Sequence, residues 1–527
     1  MSLRIIFLFT LLTAFLFSCK KELTRPSWET DLSFPVIKTE MGLENLIADS
    51  LLSADDTGFV SLVFNASVFK LDLDTLLNLP DTTVSDTFTI PPPLPSVNVN
   101  PGQVFISNTE NKRFDLDEIE LSEVKISTGQ TNFYISSTVS QPTLYEYTIT
   151  NALKNGNPFH IIIQVPAGSQ SNPAIVSGSF DFDGYELDLR GISGAEYNKY
   201  QTVIKVSLDP AASPTTVSSS DKVIVKNTFA NLKPSYAKGY FGSQQIEIPY
   251  EETVFDFLEN LSGTLDLDQA TIELTIENGI GIDATVKFDT IQSVNNQSGN
   301  TVVLNHSFIG NSININRALD YAGAVTASVY PILLNNSNSN TDFFLENLPN
   351  RIGIKAEILV NPFGNISGHQ DFLYSDKTFD VRVNAEIPLH IIAENLTLTD
   401  TLAIQFDNEE SQNVNHGVVH IFAENGFPLN ANVQLYLLNA NGIIIDSIAD
   451  PAEILSAYTN SSNIVTLKRN SRIDITLNAA QLDHLMETER ILLKTVFNTS
   501  SLTQHVPIFD SYRIGIKIST ELNYTIE

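Results

Sequence analysis

The sequence predicts a mainly β protein: tandem antiparallel β-sandwich-like or extended β-sheet units with a few short helices. Three observations carry this expectation. Runs of strict apolar/polar alternation recur along the chain, the signature of half-buried strands. Its 31 Phe and 16 Tyr, with abundant Thr, Val, Ile and Asn and only three Met, favour strands and turns over helices. One phrase is also written twice, as Ala270–Asp289, ATIELTIENGIGIDATVKFD, and again as Val418–Leu437, VVHIFAENGFPLNANVQLYL.

Taken from the start, Met1–Cys19, MSLRIIFLFTLLTAFLFSC, places Arg4 before the apolar run Ile5–Phe17. That run is too short to cross a bilayer as a helix, which needs about 20 residues, so 1–18 reads as a signal peptide. Leu16-Phe17-Ser18-Cys19 resembles the lipobox of bacterial lipoproteins. The resemblance implies a diacylglycerol thioether on Cys19, cleavage before it and N-acylation. Two or three acyl chains meet the condition for stable anchoring. Cys19 is the only cysteine, which excludes disulfides and Cys-based metal sites. Lys20-Lys21-Glu22 has one acid where surface-export signals of Bacteroidota lipoproteins carry two or more, so surface and periplasmic orientation both stay open.

Residues 19–35 then read as a tether holding the sole Trp, Trp28, and 36–110 as a β-rich region. Within it Leu43, Leu46, Ile47 and Leu51 have helical spacing, and Phe59–Phe69 alternates as a strand. Ile90–Pro95, IPPPLP, cannot donate ladder hydrogen bonds and marks a boundary. A β-unit over 111–239 opens with a strand pair in Asn111–Val139. His160–Pro166 reads as a short buried strand, and Ala211–Asp221, AASPTTVSSSD, as a loop.

Two related units come next, over 240–380 and 381–527. Glu247-Ile248-Pro249 recurs as Glu386-Ile387-Pro388, and Leu258-Glu259-Asn260-Leu261 is echoed by Ala393-Glu394-Asn395-Leu396. Arg351-Ile352-Gly353-Ile354-Lys355 matches Arg490-Ile491-Leu492-Leu493-Lys494, so the chain reads as a duplication. Within each doubled phrase the alternation resumes in phase across Glu-Asn-Gly. The phase predicts a three-residue Glu-Asn-Gly loop at both copies, a G1-bulge hairpin pairing Ile276 with Ile280, provided the two strands belong to one sheet. If the strands cross between two sheets, that pairing is absent. Asn478 is placed to cap a helix over Ala479–Thr488 with Leu482, Leu485 and Met486 inward.

Net charge is −31, from 61 acidic against 30 basic residues, a field that repels phosphate backbones and argues against nucleic-acid binding. A phrase of alternating apolar residues and Asp recurs at Leu71–Asp74, Phe114–Asp117, Phe180–Asp183 and Leu265–Asp268, and apolar parity flips after the last three. A bulge or turn at the second Asp would produce that flip. Alternate Asp residues share a strand face about 6–7 Å apart. Asp181, Asp183, Asp266 and Asp268 are therefore weak Ca²⁺ candidates, short of the six to eight oxygens that ion takes. A solvated outer face is the plainer expectation, and a glycosidase pair would need a cleft.

His416 and His420 have the helical spacing of a metal pair but lie in a strand pattern, which would hold the rings about 13 Å apart. Neither HExxH, GxSxG nor a phosphate-binding Gly loop is present. No catalytic residue, metal or cofactor is assigned. Asp followed by Ser or Thr and a small or aliphatic residue resembles the O-glycosylation sites of exported Bacteroidota proteins. The resemblance implies modification at Ser50, Thr75, Thr82, Thr290, Thr401 and Ser447.

The Cys-Lys-Lys opening, the Trp28-Glu-Thr-Asp-Leu stretch and the NGFPLNA phrase at Asn425–Ala431 make the chain similar to large uncharacterised Bacteroidota outer-membrane lipoproteins. That implies a cell-envelope location and names no activity. The leading expectation is a non-catalytic, lipid-anchored scaffold or binding module, docking to an outer-membrane β-barrel, another envelope component or a surface ligand. A lipid or hydrophobic-ligand carrier or periplasmic bridge is the alternative, because long amphipathic hairpins can line an apolar groove and such units resemble lipid-binding β-folds. Glycan binding or hydrolysis is the third. Carrier and scaffold separate on whether the apolar faces are closed core or open groove.

Overall fold

The computed structural model describes residues 27–45, 51–90, 94–254, 262–404, 414–449 and 453–526. Cys19 and Ser50 lie outside them. Of the described residues 63% are strand and 5% helix, against about 20–25% strand in an ordinary domain, so the mainly β expectation holds. The chain divides into two compact units. One draws on residues 1–61, 260–268 and 389–527, the other on 62–259 and 269–388.

In the second unit a ten-stranded antiparallel sheet runs in the order Asp371–Tyr374, Val223–Tyr240, Glu120–Ser137, Glu186–Asp188, Thr143–Lys154, Lys199–Leu208, Val104–Arg113. Three further strands pair onto this path. Its core is aromatic: Phe182, Phe229 and Tyr200 are fully buried, with Phe182 and Phe229 edge to face at 5.3 Å. The strands expected within Asn111–Val139 both belong to this sheet but are not neighbours, because Val104–Arg113 pairs with Lys199–Leu208 instead. The His160 strand spans Asn157–Val165 and is half-buried, with Phe159, Ile161, Ile163 and Val165 inward and Ile162 58% exposed. Asn155-Gly156, both with positive φ, make the two-residue hairpin that precedes it. Part of the expected loop at 211–221 is the strand Thr215–Ser218, paired with Ser96–Val99.

The same unit holds a central sandwich. Its first sheet has neighbouring strands in the order Val60–Leu71, Phe379–Pro388, Thr271–Asn278, Ser328–Asn335. Its second runs Gln244–Val254, Arg351–Val360, Ala284–Asn295, Asn300–Val303, with Ser312–Ile315 also on Ala284–Asn295. Ile272, Leu274, Val383 and Ala385 of the first sheet face Ile291 and Ile352 of the second around an apolar cavity of about 30 Å³.

The first unit repeats that design as a carboxyl-terminal sandwich. One sheet runs Trp28–Met41, Ile514–Ile526, Val414–Asn425, Arg469–Thr476. The other runs Ser262–Leu267, His390–Ala403, Arg490–Thr499, Leu429–Leu438, Ile444–Ala449. The tether expected over 19–35 is therefore strand from Trp28 onward, paired with Ser519–Ile526. A helix leads into the equivalent strand in each copy: Thr341–Glu346 before Arg351–Val360, and Ala479–Met486 before Arg490–Thr499. The second helix starts at a full capping box on Asn478 and buries Leu482 and Leu485.

The duplicated phrase is not a hairpin in either copy. Thr271–Asn278 pairs with Ser328–Asn335 and Phe379–Pro388, while Ala284–Asn295 belongs to the opposing sheet. Val414–Asn425 and Leu429–Leu438 are divided in the same way. The alternation is in phase because each strand turns its apolar side to one core from its own sheet.

A buried Asn builds the crossing. Asn278 accepts from the Ile280 N–H at 3.0 Å and donates to the carbonyls of Ile282 and Asn316, each at 2.9 Å. Asn425 accepts from the Phe427 N–H at 2.9 Å and donates to Leu429 at 2.8 Å and Leu455 at 3.1 Å. Gly279 N–H donates to Thr378 and Gly426 N–H to Arg513, both at 2.9 Å. A Cβ at either glycine would stand 2.8 or 2.7 Å from that same carbonyl oxygen, so the corner excludes a side chain there. The Glu-Ile-Pro match, by contrast, joins strands in non-equivalent positions: Glu247 pairs with Glu357, and Glu386 with Thr271.

Candidate functional site

The open face of the Trp28–Met41 sheet carries the most distinctive arrangement of exposed side chains. Strand register alone builds it. Ile37, Ile514, Ile516, Ile518, Val419 and Ile421 turn inward and are buried, so the intervening positions point to solvent. One row across all four strands is Lys38, Lys517, Phe422, Arg472. The row beside it is Glu40, Gly515, Glu424, Asn470. Together they line a groove of about 560 Å³.

Three features distinguish this groove from an ordinary solvated face. Lys38 and Lys517 stand directly opposite one another, and among the described residues neither has a carboxylate within 4.0 Å. Like charges so placed destabilise a strand pair. The Arg472 guanidinium sits 5.4 Å over the Phe422 ring, which is itself 39% exposed. Gly515 leaves the groove floor bare: a Cβ there would meet only the Glu424 Cβ at 3.9 Å, an ordinary contact, so packing does not demand glycine.

The borders are tied down. Lys468 Nζ lies 2.8 Å from Glu424, and this hydrogen bond, helped by the charge of Lys517, holds the Glu424 carboxyl below its usual range. His420, only 8% exposed, sits between Asp474 at 2.6 Å and Glu521 at 3.3 Å. Arg472 donates to Asp474 at 2.8 Å, and with His420 keeps that carboxyl low.

The residues singled out in the sequence lie elsewhere, and most of them close turns. Strands end at Leu71, Arg113, Asp181 and Leu267, so every copy of the apolar-Asp phrase terminates a strand. Asp72 caps the helix Leu73–Leu76, and Asp117 has φ +50°. Asp183 accepts from the Gly129 N–H at 2.6 Å, and Asp181 from the Asp183 N–H at 3.0 Å. Asp181 and Asp183 thus turn their oxygens to the backbone, and the turn at the second Asp produces the parity flip. Asp266 meets His505 and Asp268 meets His390, each at 2.9 Å, with the two rings 5.7 Å apart. Among the described residues no three His, Asp or Glu side chains converge for a metal. His416 and His420 both lie on the strand Val414–Asn425.

Of the hydroxyls expected to carry glycans, Thr75 and Thr401 are exposed and Thr82, Thr290 and Ser447 are partly buried. The Thr75 hydroxyl donates to Asp72 at 2.9 Å and that of Thr82 to the Pro80 carbonyl at 3.0 Å. Sequence reading missed the Lys38 row because its members come from four distant strands. The visible trace was Lys517 and Arg472 as outward members of alternating strands.

No protein-family model matches the chain, and no curated protein matches it. Among solved structures it is similar to a Parabacteroides distasonis protein classed as secreted. Identity is 11% over 53% of this chain and 82% of that one, at a TM-score of 0.29. It is also similar to the structure of infectious bursal disease virus Gx strain, at 10% identity over 92% of this chain and 84% of that one, with a TM-score of 0.10. At these TM-scores neither likeness assigns an activity.

Proposed function

We propose that this chain is an exported, lipid-anchored, non-catalytic binding protein, and that it holds a polyanionic chain across the Lys38–Lys517–Phe422–Arg472 row. The observation that carries this reading is the facing pair Lys38 and Lys517, two cations opposed across neighbouring strands with no carboxylate in contact among the described residues. A ligand anion between them would replace repulsion with charge-assisted hydrogen bonds. Arg472 extends the cationic row past Phe422, and the bare floor at Gly515 lets a chain lie close to the sheet. The protein's charge of −31 opposes a polyanion at long range, but at physiological ionic strength that field is screened over about 8 Å, and within the groove Glu424 is already paired with Lys468. The lipobox at Cys19 supports attachment to the outer membrane.

The carrier alternative loses its motive. Ile272, Leu274, Ile276, Ile280 and Ile282 are all at most 5% exposed, so those apolar faces are closed core. The cavity of about 30 Å³ beside them has room for about one water and none for an acyl chain.

Calorimetric titration of the purified protein with polygalacturonate, dextran sulfate and inorganic polyphosphate tests the reading and separates carboxylate, sulfate and phosphate as the anion. Binding that weakens with salt and falls at least tenfold in Lys38→Glu/Lys517→Glu supports it. No binding to any of the three overturns it, as does a native-membrane pull-down whose β-barrel partner is retained equally by that variant.

A further inference from the structure

A second groove, in the other compact unit, has a different chemistry. Its floor is the ten-stranded sheet, at Glu120–Ser137, Thr143–Lys154 and Glu186–Asp188. Its rim is the segment reaching His369, and its volume is about 570 Å³, within the ordinary range for small-ligand sites.

His369 is held in an exacting pose. Its backbone is left-handed, with φ +65°, a conformation that strains a non-glycine residue. The Asn365 side chain accepts from the His369 N–H at 2.9 Å, and the ring nitrogen Nε2 lies 2.6 Å from Glu120. The imidazole stacks on Tyr197, with centroids 3.9 Å apart and planes 12° from parallel, and Tyr240 meets it edge-on. This makes a fixed aromatic wall.

Facing the groove are groups of both signs. Arg190 is clamped by Asp188 through two hydrogen bonds, of 2.9 and 2.6 Å, which fix its planar fork. Among the described residues the Lys238 ammonium and the Tyr197 hydroxyl have no hydrogen-bond partner. The Glu123 carboxylate makes one ion pair among them, with Lys125 at 3.9 Å.

These groups eliminate most ligand classes. Glu123 disfavours an anion, Glu186 being already paired with Lys125 and Asp188 with Arg190. Lys238 disfavours a cation. The polar lining and the uncommitted hydroxyl and ammonium disfavour an apolar guest, which would bury them without partners. A neutral molecule fits, one dense in groups that both donate and accept, with a flat face for a ring wall.

We propose that this groove is a binding subsite for a neutral saccharide, with Glu123 accepting from its hydroxyls and Lys238 and Tyr197 donating to its oxygens. The proposal does not rest on the polyanion reading, since the two sites share no residue. The test is calorimetric titration of the full-length protein in detergent with maltohexaose, cellohexaose and mannohexaose, run beside polygalacturonate. Expected is saturable binding of at least one neutral hexasaccharide, weakened at least tenfold in Glu123→Gln and in Lys238→Met. The melting temperature should be unchanged, and binding should be unaffected by Lys38→Glu/Lys517→Glu. Absence of binding by all three neutral probes overturns the proposal. So does binding that Glu123→Gln and Lys238→Met leave intact, or that Lys38→Glu/Lys517→Glu abolishes.

Discussion

Arg317 Nη1 lies 2.9 Å from Oδ1 of Asp371, a carboxylate with no exposed surface. The same guanidinium reaches Asp283 through Nε at 3.1 Å and Nη2 at 2.5 Å. The other oxygen of Asp371 accepts from Asn361 at 2.9 Å. Arg317 also sits between Asn316, whose carbonyl receives Asn278, and Ala318, whose N–H donates to Ile280 at 2.8 Å. The ion pair therefore anchors the link 316–318, between the strands Ser312–Ile315 and Leu319–Tyr321, over the Asn278 corner.

Removing the cation strands a buried charge. Arg317→Ala should destabilise the second compact unit by roughly 3–5 kcal/mol, as breaking buried pairs does. Asp371→Asn, which keeps the shape and discards the charge, should cost less. Chemical denaturation followed by far-ultraviolet circular dichroism checks both.

The Asn corners make a second prediction. Asn278→Ala leaves the Ile280 N–H and the carbonyls of Ile282 and Asn316 without their partner, at about 1–3 kcal/mol for a buried group left unsatisfied. Asn425→Ala should cost the same in the other unit. The double variant should show the two losses in separate unfolding transitions. A single variant that melts like the parent would refute the structural role given to these residues.

Alkaline pH gives a third. Burial first, and then the hydrogen bond donated to Asp320 at 2.9 Å, push the Tyr374 hydroxyl up to about 12. A raised tyrosine pKa means that the folded state prefers the neutral phenol. Its contribution is therefore complete below the ordinary value of about 10 and is lost as pH climbs from there through about 12. Tyrosinate absorbance should lose one late-titrating group in Tyr374→Phe, and Asp320→Asn should move that group to lower pH.

Mass gives a fourth. The native protein should begin at an acylated Cys19, and Cys19→Ala should shift it from the membrane to the soluble fraction. Hexose-bearing peptides should include Thr401, whose side chain is exposed, before the partly buried Thr290. A bare polypeptide plus lipid would remove glycosylation.

The architecture was legible where the physics is local. Alternation marked the strands, the Asn478 box marked its helix, and the doubled phrase marked two strands in each copy, which are divided between sheets. Turn geometry was not legible from the dipeptide alone. Asn155-Gly156 is solvent-facing and closes a hairpin, whereas Asn278-Gly279 and Asn425-Gly426 are buried and switch sheets. The residues after each glycine make the distinction: Ile280 and Ile282, or Phe427 and Leu429, must enter a core that only a second sheet encloses. The Asp pairs met a different fate, since a carboxylate that can bind calcium can equally accept an N–H: Asp181 and Asp183 took backbone N–H groups, and Asp266 and Asp268 took His505 and His390. The Lys38 row was beyond sequence, because Lys38 and Lys517 meet only when the Trp28–Met41 strand pairs with Ile514–Ile526.

The corners also bear on how long the molecule lasts. An Asn-Gly dipeptide ages when the glycine nitrogen attacks the side-chain carbonyl carbon and ammonia leaves, closing a succinimide ring. In both corners the glycine N–H is committed to a carbonyl oxygen and the amide nitrogen to two more, so neither the nucleophile nor the leaving group is free. Asn155, in an exposed turn, has neither restraint, and at Asn441 the Gly442 N–H is held by the Asn439 carbonyl but the side-chain amide is not. Prolonged incubation should convert those two first, which makes the fold a preservative for the sites on which it most depends.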